Sequence, residues 1–91
     1  MNGDTLLFIG KNLATALGWT GSIAYLSGYL LLSMNKLKPG HKAYHALNIA
    51  GAIGLTLNAL FLHDYPNVIV NLSWGLIAIT AIATIAKRKR D

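Results

Sequence analysis

Apolar positions run in three long stretches separated by two short polar breaks. No charged side chain occurs from Asn12 to Asn35. Lys36-Leu37-Lys38-Pro39-Gly40-His41-Lys42 then forms a basic break, in which Pro39 lacks an N–H and Gly40 tolerates positive φ. From Ala43 to Leu62 only His45 can take up charge near neutral pH, and His63-Asp64-Tyr65-Pro66-Asn67 makes the second break. Val68 to Ala86 is again uncharged, and Lys87-Arg88-Lys89-Arg90-Asp91 closes the chain. A membrane-crossing helix needs ~20 predominantly apolar residues for ~30 Å of hydrocarbon. Backbone groups in lipid must be satisfied within the segment, which favours helices. The pattern therefore predicts an all-α membrane protein with a single domain, residues 1–91, and three transmembrane helices at about 13–35, 43–63 and 66–86. Residues 1–12 read as a short interfacial segment or an extension of the first span, with Asp4 as its helix cap, and residues 87–91 as a basic tail.

Composition narrows the class. The chain has 91 residues, 54% of them hydrophobic and 12% charged, where a soluble domain carries about a quarter charged residues. A soluble domain this small needs many polar residues to cover its surface. The apolar content excludes disorder, and the absence of Cys excludes a disulfide framework. No basic stretch precedes Thr5-Leu6-Leu7-Phe8-Ile9, so the N-terminus does not read as a secretory signal.

The net charge of +5 reads as topology rather than nucleic-acid binding, because the basic residues lie at span ends. With three spans, Lys36, Lys38, Lys42, Lys87, Arg88, Lys89 and Arg90 share one side, and Lys11, Asp4 and Asp64 lie on the other. This predicts a multi-pass protein of the bacterial inner (cytoplasmic) membrane, N-terminus outside and C-terminus cytoplasmic, with membrane lipid as a partner.

Each predicted helix carries a polar stripe. At 100° per residue, Ser22, Tyr25, Tyr29 and Ser33 fall within about 80° of one another, and Gly18 joins them. On the second helix Tyr44, Asn48, Gly51 and Asn58 share one side. The opposite side carries Ala43, Ala46, Ala50 and Gly54, small residues that let another helix approach closely. On the third, Asn67, Asn71, Trp74, Ala78 and Ala81 line one face, with Ser73, Thr80 and Thr84 opposite.

Such polar groups either bond helices together or line a cavity. Asn71 offers two donors and two acceptor lone pairs well inside the apolar stretch, and the Trp74 indole N–H lies one turn further along the same face. The candidate substrate-binding residues are thus Asn71, Trp74, Asn48, Asn58, Tyr25 and Tyr29, for a small polar uncharged solute. The candidate helix-packing residues are Ala46, Ala50, Gly54 and Gly51. The three carboxylates lie near span ends and no Ser or His has a nucleophile context, so the protein is expected not to be an enzyme. No two His share ligand spacing and Cys and Glu are missing, so neither a metal nor another cofactor is expected.

Residues Leu17 to Ala86 resemble an uncharacterised family of small bacterial three-helix membrane proteins. The likeness rests on Tyr29-Leu30-Leu31-Leu32-Ser33 before the basic break, Tyr44 and Asn48-Ile49-Ala50-Gly51, and the run from Tyr65-Pro66-Asn67 to Asn71-Leu72-Ser73-Trp74. More distantly, the chain resembles the SemiSWEET, PQ-loop and PnuC-like half-transporters, through Pro66 followed five residues later by Asn71. That resemblance implies a triple-helix bundle with the first and third helices as neighbours, a parallel homodimer, and an Asn that contacts solute. Gly28 to Ser33 contains neither the Pro nor the Gln of the PQ-loop group, and Leu55 stands near the position of a SemiSWEET Trp.

Three functions follow as expectations: a SemiSWEET-like half-transporter or facilitator with its site at a dimer interface, an accessory subunit packed into a larger membrane complex, or a lipid-sensing protein acting through its basic tail.

Overall fold

The computed structural model describes residues 2–90, with side-chain surroundings for residues 2–88. Met1, the side chains of Lys89 and Arg90, and Asp91 lie outside the described residues. Three helices follow one another: α1 (Gly3–Ser33), α2 (Lys42–Phe61) and α3 (Tyr65–Arg90). The N-terminal segment is the first part of α1, which runs without a break from Gly3. Its cap is Asn2 rather than Asp4: the Thr5 N–H donates to Asn2 Oδ1 at 2.8 Å. Asp4 lies in the first turn, where its carboxylate faces the positive end of the helix dipole.

The first two helices stop in the same way. Asn35 and His63 take left-handed conformations, φ 61° and 58°. Lys36 N–H then reaches back to Leu31 O at 2.9 Å, and Asp64 N–H to Ala59 O at 2.9 Å, which satisfies carbonyls that the helix leaves open. The chain thus leaves α1 before Pro39-Gly40 is reached. Left-handed backbone costs a non-glycine residue ~1–2 kcal/mol, most for β-branched side chains. His63→Val should therefore lower stability by about 1 kcal/mol while His63→Gly should not, as thermal unfolding followed by circular dichroism will show.

Small residues set the packing. Along α1 the positions turned towards α2 are Ala14, Gly18, Gly21, Tyr25 and Gly28, spaced alternately four and three apart. On α2 the answering row is Leu47, Gly51, Gly54 and Asn58. This period of 3.5 is that of a left-handed helix seam. At its centre backbone meets backbone: a Cβ on Gly54 would lie 2.5 Å from Leu17 O, and one on Gly21 would lie 2.9 Å from Gly51 O. A second row on α2, Ala52, Thr56 and Ala59, is buried, as are Val68, Asn71 and Ala78 of α3, the helix that packs on α2 from its other side. Because α2 is small on two sides, it sits in the middle.

Two expectations are corrected here. Among the described residues only one helix, over Tyr65–Arg88, is long and apolar enough to cross a membrane, so three transmembrane helices are not supported. The physical reason is composition. The Gly, Ser, Thr and Tyr positions of α1, and His45, Asn48, Thr56 and Asn58 of α2, dilute the aliphatic residues between them. The SemiSWEET-like bundle order also fails. α1 packs on α2 and α2 on α3, whereas among the described residues α1 and α3 make no close backbone approach.

Candidate functional site

α1 and α3 are joined nonetheless by a long side chain. Tyr25 on α1 reaches across α2 and its hydroxyl donates to Asn71 Oδ1 on α3 at 2.8 Å. Gly51 makes this reach feasible, since a Cβ there would collide with the Tyr25 ring. Asn71 is 4% exposed. Its Nδ2 donates to the Asn67 carbonyl at 3.0 Å and to Asn67 Oδ1. Asn67 Nδ2 in turn faces Asp64 Oδ2 at 3.5 Å. A polar chain therefore runs from the start of α3 to the Tyr25 hydroxyl.

Asn58 does different work. Its Nδ2 donates to the Ala14 carbonyl at 2.8 Å, lying over Gly18, where a Cβ would stand 2.7 Å from that nitrogen. It ties α2 to the α1 backbone.

Tyr25, Tyr29, Tyr44, Asn48 and Trp74 line one groove of about 230 Å³, drawn from all three helices. Asn48 has no hydrogen-bond partner among the described residues, so its amide is free to bind a ligand. Trp74 is 53% exposed and Tyr29 68%, so the groove is open on one side. Among the described residues no charged side chain lines it. Tyr44, one turn before Asn48, is held edge-on against His45 with ring centres 5.1 Å apart. His45 Nε2–H donates to the Pro39 carbonyl at 2.6 Å, which anchors this rim to the basic turn.

The structure thus gathers Tyr25, Tyr29, Asn48 and Trp74 in one groove, sets Asn71 in the lining of a second groove between α2 and α3, joined to the first through Tyr25, and sets Asn58 apart in the α1–α2 seam. Ala46 and Ala50 are exposed, whereas Gly51 and Gly54 lie in that seam. Tyr44 was not singled out as a ligand residue, although its place one turn from Asn48 on the same face pointed to it. Thr56 had no signal at all; its hydroxyl is buried without a partner among the described residues. It lies at the base of a second groove between α2 and α3, about 320 Å³ and almost wholly apolar, lined by Ile49, Ala52, Leu72 and Leu76 among others. Among the described residues no three His, Cys, Asp or Glu side chains are placed to hold a metal ion.

Residues 14–90 match the model of an uncharacterised protein family. The chain belongs to that family. The match shows no link to the SemiSWEET, PQ-loop or PnuC-like group. No curated protein and no solved structure gives a significant match.

Proposed function

We propose that this family member is a membrane protein, held by α3, that binds a small polar uncharged solute in the groove between its helices and acts as one half of a dimeric facilitator. The carrying observation is the Asn48 amide, which has no partner among the described residues and stands among Tyr25, Tyr29, Tyr44 and Trp74. Aromatic faces supply contact area and an amide supplies directional bonds, the usual division of labour in a small-molecule site. The missing charge suits a neutral solute. The open side, flanked by exposed Tyr29 and Trp74, is where a second copy closes the groove. With α3 in the bacterial inner membrane, Lys87 and Arg88 mark its cytoplasmic end, and Lys36, Lys38 and Lys42 lie at that same end of the helix stack.

Liposome swelling with glycerol, erythritol and myo-inositol tests the reading. Protein-containing liposomes should swell faster than empty ones with at least one of these solutes. Asn48→Leu should lower that rate by about tenfold, the worth of one or two hydrogen bonds. Swelling unaffected by Asn48→Leu would remove the assignment.

A second reading has its own observation. The first turns of α1 extend past the end of α2, since Gly10 already lies against Phe61, and Leu6, Leu7, Phe8 and Ile9 of that overhang are exposed. An accessory subunit would use this overhang to pack into a larger complex. Native mass spectrometry in mild detergent separates the two: a symmetric dimer supports the facilitator, a stable heteromer the accessory subunit.

A further inference from the structure

We infer that the Tyr25 hydroxyl is locked as a hydrogen-bond acceptor towards the groove, so that the solute must donate a hydrogen bond to it; this rests on the proposed solute site. The argument begins at groups that can only accept. The Asn67 backbone carbonyl has no proton, so the Asn71 side-chain atom 3.0 Å from it must be the amide nitrogen. The second N–H of Asn71 goes to Asn67 Oδ1. Asn67 must then turn its own nitrogen away, and it faces the Asp64 carboxylate, another group that only accepts. Both amide orientations are fixed from outside the groove.

Asn71 Oδ1 is left facing the Tyr25 oxygen at 2.8 Å. An amide oxygen accepts and a phenol has one proton, so that proton is spent on Asn71. Tyr25 lines the groove, and its hydroxyl has only lone pairs left to offer there. Asn71, at 4% exposed, is shielded from competing water. Asn67 and Asn71 are positioning residues: they touch no solute and set the polarity of the one that does. The ligand class is an uncharged molecule carrying a hydroxyl or amide N–H beside an apolar ring or chain. Molecules with acceptors alone are disfavoured.

The test uses the full chain in lipid nanodiscs with Trp19→Phe, which leaves Trp74 as the one indole. Trp74 emission is titrated with cis-1,2-cyclohexanediol and with its dimethyl ether, a pair that differs in donors. The diol should bind about tenfold more tightly, the effect of one hydrogen bond. Asn71→Leu frees the Tyr25 proton and should shrink that ratio towards one, and Tyr25→Phe should do the same. A merely structural role for Asn71 would weaken both probes equally and leave the ratio alone. If circular dichroism shows that Asn71→Leu does not fold, Tyr25→Phe carries the test, since it removes the same acceptor and keeps the ring. Equal binding of diol and ether by the parent protein overturns the inference while the site stands. So does a ratio that survives in every folded variant. Binding of neither probe removes the site and the inference together.

Discussion

Gly54→Ala should destabilise the protein by about 1–3 kcal/mol, and Gly54→Leu should part α1 from α2. The sign is the informative result. In a helix interior, Gly→Ala normally stabilises by roughly 1 kcal/mol, because glycine loses more backbone freedom on folding. Here the added methyl carbon would stand 2.5 Å from Leu17 O and 3.1 Å from Gly21 Cα, and both are backbone atoms that no rotamer change can move. The helices must separate, and the contacts from Ala14 to Gly28 separate with them. Gly3 supplies the control, since a Cβ there meets nothing within 4 Å, so Gly3→Ala should be neutral or slightly stabilising. Thermal unfolding by circular dichroism measures both. Oxidative cross-linking between cysteines introduced across the seam, in a chain that has none of its own, reads the separation directly. A stabilised Gly54→Ala would mean that α1 and α2 do not meet as described.

The same glycines show what could be read from the sequence. Helix number, the breaks near residues 36 and 64, and the polar face of α3 follow from charge placement and a period near 3.6. Order within the stack does not. It depends on α2 having two small-residue rows, Gly51 with Gly54 and Ala52 with Thr56 and Ala59, and a single hydrophobic pattern cannot assign two partners to one helix. Gly51 reads both as part of a polar stripe and as a helix-packing residue, and in the structure its missing side chain lets the Tyr25 ring pass. Asn71 reads as a group awaiting a solute; its partners, Tyr25 and Asn67, are set by side-chain reach, which periodicity does not encode. Asn48 and Asn58 look alike along the chain. Only the position of the Ala14 carbonyl separates the one that ties helices together from the one whose amide stays free.

Membrane insertion should be most sensitive to charge on α3. Ile77 lies midway between Tyr65 and Arg88 and is 56% exposed, with Ile69, Leu72 and Leu76 similarly uncovered. In water this much aliphatic surface would be unfavourable at ~25 cal/mol per Å², whereas lipid matches it. The polar residues of this helix do not contradict such a setting. Ser73, Thr80 and Thr84 each donate to a carbonyl one turn back, at Ile69, Leu76 and Thr80, so their hydroxyls are satisfied within the helix. Arginine at a helix centre costs ~2.5–3.5 kcal/mol on insertion, a factor on the order of 100. Ile77→Arg should therefore move most of the protein out of the alkali-resistant membrane fraction. Ile53→Arg, on an equally exposed position of α2, should leave α3 inserted, because among the described residues α3 alone combines the length and apolar composition of a crossing helix. Retention of Ile77→Arg in the membrane at the parent level would place α3 outside the hydrocarbon layer. The groove would then face water on every side, and Asn48 would have to hold its solute against full aqueous competition.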